Sequence, residues 1–135
     1  MNLRIVLDSN VLVSALLGQG APRQLLLILS REHTIVSSVQ MLAELEDVLL
    51  RDKFQLTDGQ IADYLSLIIS GSTVLNVADY PNVIKTDPDD DVILASALEG
   101  ETDYLVTGDK HLLLLKEYHK TKIITVKQML ALFEN

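Results

Sequence analysis

Apolar positions change period repeatedly along the chain. Leu3 to Leu7 is a short, mainly apolar run that ends in a carboxylate, Asp8. A helical pattern follows over Ser9 to Leu17, with Ser9 or Asn10 as its cap, and Gly18 and Gly20 stop it. Pro22 suits the first turn of a second helix over Pro22 to Arg31, whose Leu25, Leu26, Ile28 and Leu29 are expected to be well buried. His33 to Ser37 reads as a β-branched strand. Ser37 and Gln40 have the spacing of a capping box, opening a helix with Met41, Leu42, Leu45, Val48 and Leu49 on its apolar face.

The same alternation continues to the C-terminus. After a connector at Lys53 to Leu56, Thr57 starts a helix that runs to about Ser70, and Thr73 to Val77 forms a strand. Ala78 to Pro88 reads as a loop, long for a compact domain. Three acids, Asp89 to Asp91, then lead into an apolar helix over Val92 to Leu98 that Gly100 ends. Asp103 to Thr107 is a strand, Lys110 to Lys116 a helix, Lys122 to Thr125 a strand and Val126 to Phe133 a closing helix. Strands alternating with helices imply an α/β fold with a mostly parallel sheet of four to five strands, covered on both faces. No linker, repeat or low-complexity tract divides residues 1–135, which read as a single domain.

Composition narrows the chemistry. Hydrophobic residues make up 48% of the chain, enough for a real core. The absence of cysteine rules out disulfides, thiolate metal sites and a cysteine nucleophile, and is compatible with a reducing cytoplasm. Asp8 interrupts the first apolar run too early for a signal peptide, and no apolar segment reaches a membrane span. The net charge of −8 argues against unaided nucleic-acid binding, which needs Lys and Arg against phosphate. Acids gathered in one place change that, because they bind divalent cations that can then face phosphate.

The βα order gathers them. In a parallel sheet with right-handed crossovers, every segment that follows a strand lies along one edge. Asp8 follows the first strand, Glu44 lies two turns into the helix after the second, Asp91 opens the helix after the third, and Asp109 follows the fourth. Each has an ordinary alternative. Asp91 and Asp109 at helix starts would each gain about 0.3–1 kcal/mol from the helix dipole as plain caps. Glu44 and Glu46 flank the apolar stripe equally, and Glu44 is preferred as the one nearer the helix N-terminus. Asp8 is the hardest to explain as a cap, since Ser9 and Asn10 could cap without bringing charge to the sheet.

Carboxylates converging on one edge repel one another unless a cation neutralises them. An oxygen-only donor set favours Mg²⁺ or Mn²⁺ over Zn²⁺. Such ions, shared with a substrate phosphate, suit phosphodiester hydrolysis.

The stretches Leu7-Asp8-Ser9-Asn10-Val11-Leu12-Val13-Ser14-Ala15, Ser37 to Leu45, Asp87 to Ala97 and Asp103-Tyr104-Leu105-Val106-Thr107-Gly108-Asp109 together resemble PIN-domain proteins over nearly the whole chain. The long third motif is similar to a subgroup described as toxin components of toxin–antitoxin pairs. The resemblance implies an α/β/α sandwich and a Mg²⁺- or Mn²⁺-dependent ribonuclease. Its catalytic and metal-binding acids would be Asp8, Glu44, Asp91 and Asp109, with Asn10 and Thr107 in supporting positions. Asp89 and Asp90 compete with Asp91; Asp91 is preferred because Val92 to Ala97 then aligns with the family's apolar helix, leaving Asp89 or Asp90 as a cap. The resemblance also implies an RNA substrate, a cognate antitoxin protein, and a homodimer or higher oligomer.

Other chemistries find little support. His33, His111 and His119 form no metal-ligand pairing; His111 is near Asp109 in sequence, but a helix-surface role is favoured. Arg23, Arg51, Lys53, Lys85, Lys110 and Lys116 read as solvated charges. No nucleotide-binding glycine loop or Ser–His nucleophile motif occurs. The competing functional classes are a catalytically silent PIN-like domain acting through protein contacts, and a receiver-like domain. The receiver reading lacks an acid pair after the first strand.

Overall fold

The computed structural model describes residues 1–77 and 88–134, the side chains of Pro88 and Asp89 excepted. The loop expected over Ala78 to Pro88, with Lys85 in it, lies outside the described residues up to Pro88, as does the side chain of Asp89.

Among the described residues, seven helices and six strands follow in the order β1 (Arg4–Leu7), α1 (Ser9–Leu17), α2 (Ala21–Glu32), β2 (Thr34–Ser38), α3 (Val39–Leu49), α4 (Asp58–Ser70), β3 (Ser72–Leu75), α5 (Pro88–Glu99), β4 (Tyr104–Val106), α6 (Lys110–Leu115), β5 (Glu117–Tyr118), β6 (Thr121–Ile124) and α7 (Val126–Leu132). A 3₁₀ turn, Asp52–Phe54, links α3 to α4. The sheet order is β3-β2-β1-β4-β6-β5. Every pairing is parallel except β5 with β6.

The period-2 alternation of β1 splits the core in two. Ile5 and Leu7 pack with residues of α1, α2, α3, α4 and α7 on one face of the sheet. Val6 packs with Val36, Leu105 and Ile123 beneath Ile93, Leu94 and Ala97 of α5 and Leu112 of α6 on the other. This is a three-layer α/β/α sandwich, as the alternation of strands and helices implies.

Several local expectations shift. The sixth strand, β5, is a two-residue antiparallel hairpin partner entered and left through positive φ at Lys116 and His119, with no hydrophobic period to announce it. Only Leu25 and Leu29 of α2 are buried, and Leu27 is exposed, so α2 covers the core with one stripe. The cap of α3 is Ser38, which accepts from the Met41 amide, rather than Ser37. Gln40 instead holds Asn76 and the Val77 backbone, tying α3 to the end of β3. The cap of α1 is Asp8 itself, accepting from the Asn10 amide at 3.3 Å, rather than Ser9 or Asn10.

Helix α5 begins at Pro88, four residues earlier than the apolar pattern indicates. Asp89, Asp90 and Asp91 therefore lie inside its first turn, not ahead of it, and neither Asp89 nor Asp90 is its cap. At its other end Gly100 closes the helix through a 2.9 Å bond from its amide to the Ser96 carbonyl. A Cβ at Gly100 would stand 2.6 Å from Val36 Cγ1, so the absence of a side chain lets α5 seat against β2.

Candidate active site

The strand order reverses between β1 and β4: from β1 the chain builds outwards through β2 and β3, then returns to β1's other side. In open parallel sheets such a reversal opens a crevice at the C-terminal ends of the two strands. Asp8 follows β1 and Thr107 follows β4, so both stand at the reversal.

Asp8 is buried and tightly held. Its amide extends the β1–β4 ladder by donating to the Val106 carbonyl at 3.0 Å. Thr107 Oγ1 donates to Asp8 Oδ2 at 2.6 Å, and the same hydroxyl accepts from the Asp109 amide at 2.9 Å. Thr107, itself 1% exposed, thus ties the two acid-bearing loops together. Burial raises the Asp8 carboxyl above its ordinary 3.8. The hydrogen bonds from Thr107 and from the Asn10 and Ser9 backbone oppose that rise, and the charge of Asp109 adds to it. A buried acid held as a disfavoured anion next to a second acid is a place where a cation lowers the free energy.

A second group lies alongside. Ligand atoms of Asp90, Asp109 and His111 all come within 4.8 Å of one another. Asp109 caps α6 by accepting from the His111 amide at 2.7 Å, and His111 Nδ1 lies 3.7 Å from Asp109 Oδ1. The cap reading of Asp109 and its membership of an acid cluster are therefore compatible. The imidazole remains mainly solvent-exposed.

The remaining acids take different positions. On α5, Asp90 is the acid that groups with Asp109; Asp91, next to it and also buried, is not part of that group. Consecutive helical residues point about 100° apart at 3.6 residues per turn, so the two carboxylates of one turn leave the helix in different directions. Glu44 is half-buried on α3, whereas Glu46 and Asp47 are exposed, which separates the two borders of the stripe. Asn10 stands at the start of α1, its amide on Asp8 and its side chain exposed.

Three residues stand at the site in roles other than the cap or surface roles that the sequence favoured for them. His111 is one, and the signal for it was an Asp-x-His spacing directly after a strand end. The others are Ser9 and Ser37, at the C-terminal ends of β1 and β2. Their hydroxyls are buried and have no hydrogen-bond partner among the described residues. Buried hydroxyls without partners at a site edge are where ordered water or ligand oxygen is expected.

The donor set fits a divalent ion. Carboxylates dominate it, with one imidazole at the solvent side, a combination that suits Mg²⁺ or Mn²⁺ better than a thiophilic metal. The imidazole departs from the oxygen-only set inferred from composition.

The chain is similar over 99% of its length, at 27% identity, to the uncharacterized protein MJ1680 of Methanocaldococcus jannaschii, of which it covers 94%. Its fold is similar to that of PAE2754 from Pyrobaculum aerophilum, with a TM-score of 0.60 and 19% identity, over 96% of this chain and 88% of that one. It is also similar to a chain in the structure of VapBC2 from Rickettsia felis bound to a DNA fragment from their promoter. There the TM-score is 0.66 at 19% identity, over 91% of this chain and 98% of that one. The PIN domain family model matches residues 4–111, from the first strand through Asp109 and His111, and the chain therefore belongs to the PIN-domain family.

Proposed function

We propose that this protein is a divalent-metal-dependent endoribonuclease that hydrolyses RNA phosphodiester bonds at the β1–β4 reversal, and that it is the toxin of a toxin–antitoxin pair. The observation that carries the reading is the grouping of Asp90, Asp109 and His111 beside the buried Asp8. Membership of the PIN-domain family supports the nuclease class, and likeness to a VapBC2 structure supports the toxin assignment.

Asp8, Glu44, Asp109 and an acid of α5 are the proposed ligands. The geometry favours Asp90 for the α5 position, and the resemblance of Val92 to Ala97 to the family's apolar helix favours Asp91. Bound there, Mg²⁺ or Mn²⁺ would place positive charge against the phosphate and make water more acidic. Thr107 holds Asp8 and the Asp109 backbone in fixed relation, so neither acid must reorganise when substrate arrives. Asp8 is disfavoured as an anion in the metal-free protein, which strengthens its pull on a cation. Ser9 and Ser37 offer hydroxyls at the same edge for water or phosphate oxygen. His111, exposed at the mouth, suits Mn²⁺ as the first ion to test. As a toxin the protein would meet a cognate antitoxin that covers this edge, and would assemble as a homodimer or higher oligomer.

The test is cleavage of single-stranded and structured RNA by the wild type and by Asp8→Asn, each with Mn²⁺ and with chelator. Cleavage confined to the wild type with Mn²⁺ is expected. Equal cleavage by both proteins would point to a contaminant and sink the reading.

A further inference from the structure

We infer that the groove running from the acidic edge along α1 is the track for a single RNA strand, with Arg51 and Lys53 as its phosphate contacts. This rests on the nuclease reading above and adds a substrate-binding site to it.

Asn10, Ser14 and Gly18 line one side of an open groove of about 450 Å³, and Arg51, Lys53 and Phe54 line the other. Val13 and Val48, both buried, form its floor. Asn10, Val13, Ser14 and Leu17 also line it and recur at helical spacing, so one face of α1 forms a continuous wall. From Asn10 to Leu17 that wall is about 10 Å long at 1.5 Å per residue, about three phosphate spacings of a stacked strand. It begins at the residue whose amide caps onto Asp8, so a strand in the groove leads to the acids.

The opposite wall is cationic. Among the described residues neither Arg51 nor Lys53 makes an ion pair with an acid. Asp52, between them, does not line the groove. Lys53 Nζ sits 5.1 Å above the Phe54 ring, an interaction that holds the ammonium against the wall. Gln55, in the left-handed region with φ 50°, ends the short 3₁₀ turn and turns the chain away after Phe54. Arg23 brings a third cation to the rim, its guanidinium donating to the Gly18 carbonyl at 3.3 Å.

Charge selects the occupant. With a net charge of −8 the protein repels a polyanion over most of its surface. A substrate strand needs a local cationic path to reach the acids, and unpaired cations beside Asn10 supply one. Because the groove starts at Asn10, beside the acids that would act on a phosphodiester, a nucleic-acid strand is its fitting occupant rather than a protein segment.

The experiment uses Asp8→Asn as the binding background, so that no substrate is consumed, and a fluorescein-labelled single-stranded oligoribonucleotide as probe. Adding Arg51→Ala with Lys53→Ala is expected to weaken binding about tenfold at low salt. The slope of log affinity against log salt should fall by about 1.4, the contribution of two single-strand phosphate contacts. The charge-keeping pair Arg51→Lys with Lys53→Arg should restore most of the slope. Both residues are exposed, so an unchanged melting temperature checks that the variants fold. In the active protein the alanine pair should raise KM while leaving kcat nearly constant. Unchanged affinity and slope, or no RNA binding by the background protein, overturns the groove as an RNA track, whether or not the wild type cleaves. Binding that depends on Arg51 and Lys53, in a protein that never cleaves RNA with Mn²⁺, keeps the groove and overturns the nuclease reading.

Discussion

Thr107 Oγ1 and Asp8 Oδ2 are 2.6 Å apart, and that hydrogen bond joins the ends of the two parallel strands between which the strand order reverses. The hydroxyl spends its proton on Asp8 and its lone pair on the Asp109 amide. One side chain thereby sets the spacing of two acid-bearing loops.

Thr107→Val keeps the shape and removes both bonds. Stability is expected to fall by about 1–3 kcal/mol, the usual cost of leaving a buried polar group without its partner. The Asp8 carboxyl should rise further, because the Thr107 bond is the largest influence holding it down. Urea denaturation and an NMR titration of the metal-free protein measure the two effects. An Asp8 titration identical in both proteins would contradict the assigned role.

The raised pKa of Asp8 makes a signed prediction for the metal-free protein. The fold binds the Asp8 proton more tightly than the unfolded chain does, whose carboxyl titrates near 3.8. The associated stability is fully present below pH 3.8 and is lost as the pH rises through the raised folded value. Asp8→Asn, which never ionises, should therefore melt a few degrees above wild type at neutral pH, with the gap closing in acid. Mn²⁺ should reverse the order by stabilising the wild type alone. Thermal melts across pH, with chelator and with Mn²⁺, provide the check.

Asp90 and Asp91 can be separated by the same assay. A ligand bound only by the folded state at 100 times its Kd adds about 2.7 kcal/mol. Asp90→Asn and Asp109→Asn are each expected to abolish most of the Mn²⁺-induced rise in melting temperature, while Asp91→Asn retains it. Retention in Asp90→Asn with loss in Asp91→Asn would assign the ligand to Asp91.

Gly100→Ala probes how α5 is held in place. The new Cβ would meet Val36 Cγ1 at 2.6 Å and the Ser96 carbonyl oxygen at 2.9 Å. Overpacking of this kind costs about 1–3 kcal/mol. The denaturation midpoint should drop at constant m-value, and the Mn²⁺ response should weaken as α5 shifts.

The architecture and the meeting of the Asp8 and Asp109 loops were readable because both follow from period and order. The run from Leu3 to Leu7 meets Asp8 and the run from Tyr104 to Val106 leads to Asp109, whatever the details of packing. Helical phase was less readable. The apolar pattern of α5 starts at Val92, yet the helix starts at Pro88, and Asp90 is the α5 acid that groups with Asp109 and His111. Adjacent serines misplaced the cap of α3, where Ser37 and Ser38 are both buried and only the strand register selects Ser38. Glu44 and Glu46 were equivalent by angle, and burial by neighbouring elements distinguishes them. His111 was set aside as a surface residue. It is exposed, but the tight Asp109 cap folds it back towards its own carboxylate. The cationic groove was not readable, because Arg51 and Lys53 come to line one groove with Asn10 only through the packing of α1 against α3.

The strand order also fixes when the site comes into being. Asp8 and Thr107 lie 99 residues apart, and Asp109 comes later still. A nascent chain that has delivered its first three strands already holds the Asp8 carboxylate, but nothing yet clamps it and no Asp109 faces it. The acid cluster is a late product of synthesis, complete only after β4 has slotted in beside β1.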